Sequence, residues 1–229
     1  LRPARIRLTY AAAVVVLTGN PQSVVDGSRE FLCATGEIPS GQTPVLVDVR
    51  AFKDGPAAGL LAQKIVGDRI LVSGDVLLME GSSQPVITAF VCCPATDEQY
   101  LNEVTLVGRI GSEPKPAGKS TRRSVALNRY LPNPQGGDPI EQTDWYGCRV
   151  FGTTQERFSR VDIGALVEVS GSFSQMTSST NEPYCEVKVR SFRVHRGRGG
   201  SSDPATGTAA VGYDQASFEA DHDIHPNWN

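Results

Sequence analysis

The chain lacks a catalytic constellation. It has no Gly-x-x-x-x-Gly-Lys-Ser/Thr loop to cradle a nucleotide's phosphates and no Gly-x-Ser-x-Gly turn to expose a serine nucleophile. All three histidines stand at or beyond position 195, so the first 194 residues contain no imidazole for acid–base work or metal ligation. The five cysteines (Cys33, Cys92, Cys93, Cys148, Cys185) form no Cys-x-x-Cys pair, and a structural zinc site needs such pairs or Cys/His pairing. These absences point away from a hydrolase or nuclease and predict neither a metal nor a cofactor. Apolar runs are short too. The most apolar, residues 11–17, falls far below the ~20 residues that span a bilayer, so no membrane partner is expected. The cysteine neighbours Val91 and Val150 suggest strand interiors, and thiols kept reduced and buried suit a reducing compartment.

What is present is a pattern of short strands. Helical periodicity is scarce across the 229 residues, while alternating runs recur at 45–49, 166–169 and 186–189, separated by Gly and Pro. That is the signature of an all-β fold. Two segments repeat at an offset of 97 residues: GDRILVSG at 67–74 and GALVEVSG at 164–171. Each follows a strand ending in phenylalanine (Phe52, Phe151) and a short segment able to form a helix, and each precedes a polar loop with a proline (Pro85, Pro183). A glycine at each end of a strand fits a small barrel, whose strands bend sharply at the corners. The predicted organisation is two tandem five-stranded barrels over residues 5–94 and 101–194, then a flexible Gly/Ser/Thr-rich linker and acidic tail over 195–229.

Charge follows the same divisions. Residues 1–100 carry 8 basic and 10 acidic side chains, residues 101–198 carry 14 and 10, and residues 199–229 carry none and 5. A basic middle followed by an acidic end suggests a polyanion site in the second barrel. The tail then either mimics the polyanion or binds elsewhere.

The second half also resembles the bacterial and organellar single-stranded DNA-binding protein family. The resemblance is carried by NEVTLVGRIG (102–111) with Glu113-Pro114, by SVALNR (124–129), by Thr143-Asp144-Trp145-Tyr146 leading to Phe151-Gly152, and by the strand 164–171. The first half shares only the repeated strand and its glycines. With Tyr10, Phe31, Phe52 and Phe90 but no tryptophan, it is expected to be a degenerate barrel that binds weakly or serves as a structural and dimerising unit. This resemblance implies tandem OB-type barrels of Greek-key topology that bind and protect single-stranded DNA in replication, repair or recombination. It also implies a bacterial cytoplasm or an organelle such as the mitochondrion. The family's usual assembly presents four barrels, so two chains of two barrels imply a homodimer.

Parity supplies the chemistry independently. Residues two apart share a face of a strand. Trp145, Gly147, Arg149 and Phe151 therefore face one way, and Tyr146, Cys148 and Val150 can fill a core. Aromatic rings on an outer face suit unpaired bases, which stack for ~1–3 kcal/mol each with little regard to sequence. Gly147 is expected to leave room for a base. Arg122, Arg123, Arg129 and Lys188 are expected to line a phosphate-tracking groove beside these rings, with Tyr130 as a further stacking ring. In the tail, Asp221, Asp223 and Ile224 resemble the acidic tip through which the family recruits replication and repair proteins, although the chain closes on Trp228-Asn229. The competing expectation is a structural or RNA-binding subunit of a larger organellar assembly, because stacking and phosphate contacts scarcely separate DNA from RNA.

Overall fold

The computed structural model describes residues 9–195 apart from residues 28, 41–42, 80–81, 132, 134–136 and 179–180. Strand-forming residues with alternating burial dominate it. The first six strands are β1 (Thr9–Leu17), β2 (Gln22–Asp26), β3 (Arg29–Ile38), β4 (Val45–Phe52), β5 (Arg69–Leu78) and β6 (Pro85–Pro94). The next six are β7 (Asn102–Ile110), β8 (Lys115–Ala117), β9 (Ser120–Leu131), β10 (Ile140–Phe151), β11 (Leu166–Thr177) and β12 (Pro183–Val194). Two one-turn helices complete the order: α1 (Pro56–Leu61) after β4 and α2 (Thr154–Ser159) after β10.

The strands close into two barrels of the OB type. In the first, β1 pairs with β5, β5 with β6, β6 with β4 in parallel and β4 with β3, and β3 returns to β1 through Val16 and Leu17. The second repeats this circuit as β7, β11, β12, β10 and β9, closed by Arg109 and Ile110 of β7 on β9. β2 and β8 add short hairpin strands outside β3 and β9. Each helix plugs the end of its barrel: α1 buries Ala57, Ala58 and Leu61, and α2 buries Phe158. No helix among the described residues is long and apolar enough to cross a membrane.

The repeated glycines now have physical reasons. Gly67 and Gly164 sit at φ +91° and +82°, a region that side-chain-bearing residues avoid. Gly74 and Gly171 each follow a β-bulge in the fourth barrel strand, between Ser73/Gly74 and between Ser170/Gly171. A Cβ at Gly74 would lie 1.9 Å from the carbonyl oxygen of Thr88, and one at Gly171 would lie 2.2 Å from that of Lys188. The backbones cross too closely there for any side chain.

The barrels are fused rather than merely tethered. β1 pairs antiparallel with β7 over Thr9↔Leu106 to Ala13↔Asn102, which makes one continuous twelve-stranded sheet. Further bonds cross the junction. Arg129 donates to the carbonyl of Leu78 (3.0 Å), Tyr146 Oη donates to the carbonyl of Val76 (3.3 Å), and Leu46 N donates to Gln175 Oε1 (3.1 Å). The cysteines are free but not uniformly buried. Cys148 is buried, Cys33, Cys92 and Cys185 are partly buried, and Cys93 is exposed, as it must be when its neighbour turns inward.

Candidate nucleic-acid interface

The candidate surface is the outer face of β8, β9, β10, β12 and β11 in the second barrel. The inward residues Tyr146, Cys148 and Val150 belong to the core, and burial drives the Tyr146 and Cys148 pKa values far above their ordinary ranges. The outward residues alternate with them. Trp145 is 54% exposed, Phe151 43% and Tyr130 45%, all unusual for large rings without a partner. The outer edge of the Trp145 indole abuts Gly111, where a Cβ would come within 2.3 Å of ring atom Cζ3.

Register brings the charges together. On β10 and its neighbours, Arg149 lies opposite Arg122 of β9 and beside Lys188 of β12, and Arg122 in turn lies opposite Lys115 of β8. Between the arginines sits Glu186, only 1% exposed, which accepts from Arg149 Nε at 2.6 Å and ion-pairs with Arg122 through its other oxygen. The hydrogen bond to Glu186 raises the Arg149 pKa and fixes its charge. The Arg122 guanidinium also lies 5.4 Å from the Tyr184 ring centroid, and Lys188 Nζ lies 5.4 Å from that of Phe151. An open groove of about 300 Å³ runs between Arg149, Phe151, Lys188, Glu186, Ser120 and Met176.

Two of the expected groove arginines stand elsewhere. Arg123 follows Arg122 on β9 and therefore turns into the barrel, where it is 2% exposed. Its guanidinium donates to the carbonyls of Ser112 (2.9 Å), Phe158 (2.9 Å) and Val161 (2.6 Å), tying the end of α2 to the barrel. Burial lowers its pKa. Arg129 shares that parity. It binds buried Asp144 at 3.1 Å and the Leu78 carbonyl, at the junction of the barrels. Burial raises the Asp144 pKa, while Arg129 and the Leu78 N–H oppose the rise. Gly147 also has a different role: a Cβ there would meet Glu186 Cγ at 3.2 Å and Arg122 Nη2 at 3.3 Å, so the glycine makes room for the ion-pair cluster.

The sequence reading missed Glu186, Tyr184, Lys115 and Gly111. Glu186 and Tyr184 could have been found, since they stand two and four residues before Lys188 on one strand face. Lys115 and Gly111 depend on the β8 pairing and on where the indole lies, and no local signal marks them. Asp221, Asp223 and Ile224 lie outside the described residues. Among the described residues, no group of three His, Cys, Asp or Glu side chains could hold a metal ion.

Residues 101–196 match the single-strand binding protein family. No relative is found among curated proteins. Among solved structures, the fold is similar to that of the wild-type single-stranded DNA binding protein from Thermus aquaticus. The TM-score is 0.60 at 18% identity, covering 86% of this chain and 98% of that one. A deletion mutant of the Thermus protein gives 0.59 at 15% identity, with the same coverage. The mitochondrial single-stranded DNA binding protein of S. cerevisiae is 26% identical over 40% of this chain and 92% of that one, with a TM-score of 0.30.

Proposed function

We propose that this chain, whose residues 101–196 match the single-strand binding protein family, binds single-stranded DNA on the outer face of its second barrel and protects it. The observation that carries the reading is one face bearing three exposed rings, Tyr130, Trp145 and Phe151, interleaved with Lys115, Arg122, Arg149 and Lys188. Rings stack on bases of any sequence and cations follow the backbone, which is the chemistry of coating rather than of reading a sequence. The sites are Arg122, Arg149, Lys188, Trp145, Phe151 and Tyr130, and the processes served are replication, repair or recombination in a bacterial cytoplasm or an organelle. The two barrels act as a pair within each chain, and two chains associate to give four. Asp221, Asp223 and Ile224 serve as a docking tip for replication and repair proteins.

A gel shift with single-stranded DNA, single-stranded RNA and duplex DNA at two salt concentrations tests the binding. Retention of single-stranded DNA in preference to duplex, weakening as salt rises, is the expected result. Retention of RNA alone would move the function to an RNA-processing assembly. Light scattering tests the assembly: a monomer mass at micromolar concentration would contradict the pair of chains.

A further inference from the structure

The register that aligns the two barrels also exposes how far they have diverged. They correspond at the bulges (Ser73/Gly74 with Ser170/Gly171) and at the parallel pairs (Arg50↔Thr88 with Arg149↔Lys188). Extending from these anchors, most residues of the second barrel's outer face have a counterpart among the described residues of the first. Arg149 and Phe151 are kept, as Arg50 and Phe52. The remainder changes. Arg122 corresponds to Cys33, Lys188 to Thr88, Lys115 to Gln22 and Trp145 to Leu46. Gly147 corresponds to Asp48, Ser172 to Asp75 and Ser174 to Leu77. Glu186 corresponds to Val86.

Two consequences follow. At these positions four cations around one carboxylate in the second barrel become one cation beside two carboxylates in the first. Arg29 adds one cation there and Asp26 one carboxylate, so the first face lacks the positive excess that draws a polyanion to the second. The residues that are kept also have their binding surfaces occupied. Phe52 packs on buried Phe31 with ring centroids 4.8 Å apart, and the Arg29 guanidinium lies 5.7 Å from its centroid. The Arg50 guanidinium lies 4.6 Å from the Phe31 centroid, while its Nε donates to Thr88 Oγ1 at 2.9 Å and its Nη1 donates to Asp26. Where the second barrel has an exposed indole, the first offers Leu46.

We infer that each chain carries one strand-binding barrel, not two, and that the single-stranded footprint stops at the barrel junction. The first barrel contributes its edge β1, which holds β7, and its carbonyls at Val76 and Leu78, which hold Tyr146 and Arg129. It acts as a mount for the binding barrel. This rests on the binding face proposed above, and the test separates the two.

Trp145→Glu and Leu46→Glu place the same charge at corresponding exposed positions of the two faces, Leu46 being 37% exposed. Binding of a fluorescently labelled oligo-dT to the full chain is followed by anisotropy, with circular dichroism confirming that each variant folds. Trp145→Glu is expected to weaken binding about tenfold or more, the loss of one stacked base. Leu46→Glu is expected to stay within about twofold of the unsubstituted chain. A loss on Leu46→Glu that matches Trp145→Glu overturns the single-footprint inference and leaves the binding face standing. An unchanged affinity for Trp145→Glu instead removes the binding face, and the inference with it. Photo-crosslinking of a 5-bromodeoxyuridine oligonucleotide to the unsubstituted chain gives a measurement free of substitutions. Adducts confined to 115–190 support the inference, and adducts at Phe31 or Phe52 refute it.

Discussion

Replacing Arg123 by methionine keeps most of the apolar stem and removes only the guanidinium. Three backbone carbonyls, at Ser112, Phe158 and Val161, then lose charged donors that lie 2.6 to 2.9 Å away. A hydrogen bond from a charged group contributes about 1.5–3 kcal/mol, and the three are not additive because they share one cation. Against the loss stands the relief of removing a guanidinium that is 2% exposed, whose burial already lowers its pKa. The balance is a destabilisation of about 2–4 kcal/mol, concentrated where α2 closes the barrel. Urea unfolding followed by circular dichroism reads it as a lower midpoint with an unchanged slope. Below the transition, the variant should bind oligonucleotide with the salt dependence of the unsubstituted chain, because Arg123 lies on the core side of β9. Unaltered stability together with a reduced salt slope would refute the reasoning and return Arg123 to the groove.

Other substitutions separate the surface from the scaffold. Lys188→Ala should leave stability unchanged and lower the slope of log affinity against log salt by ~0.7, measured by titration across a salt series. Phe151→Ala should cost about 1–3 kcal/mol in oligonucleotide affinity without shifting the unfolding midpoint. Arg129→Ala leaves buried Asp144 without its ion-pair partner and should cost about 3 kcal/mol of stability, seen in denaturant unfolding, with little effect on the salt slope. Gly171→Ala drives a Cβ to 2.2 Å from the Lys188 carbonyl and should cost roughly 1–3 kcal/mol, read as a lowered melting temperature.

Much of the barrel was legible because its signals are local. Alternating apolar residues gave β4, β11 and β12, and the paired glycines mark backbone positions that side chains fit poorly. The outward parity of Trp145 and Phe151 was readable for the same reason. Arg123 and Arg129 were misplaced because similar charge was given more weight than strand parity: on β9, Arg122 faces out, and 123 and 129 cannot share its face. Glu186 was passed over as one acid in an alternating strand, although its burial between two arginines organises the cationic face. The fusion of β1 to β7 was not readable at all. An edge strand's hydrogen-bonding groups are the same whatever partner they meet, and nothing in residues 9–13 names residues 102–106. The poverty of the first barrel was legible in its lack of tryptophan, whereas its loss of cations became readable only after register had aligned Asp48 with Gly147 and Thr88 with Lys188.

The central claim is that an exposed indole on the second barrel stacks on unpaired bases. The chain has two tryptophans, Trp145 and Trp228, so Trp228→Phe leaves Trp145 as the only indole emitter. Titrating that chain with oligo-dT at low and high salt should quench the Trp145 emission to saturation, with the binding curve shifting to weaker affinity as salt rises. Binding detected by anisotropy with unquenched Trp145 emission would contradict the account, because the strand would then lie on some other surface.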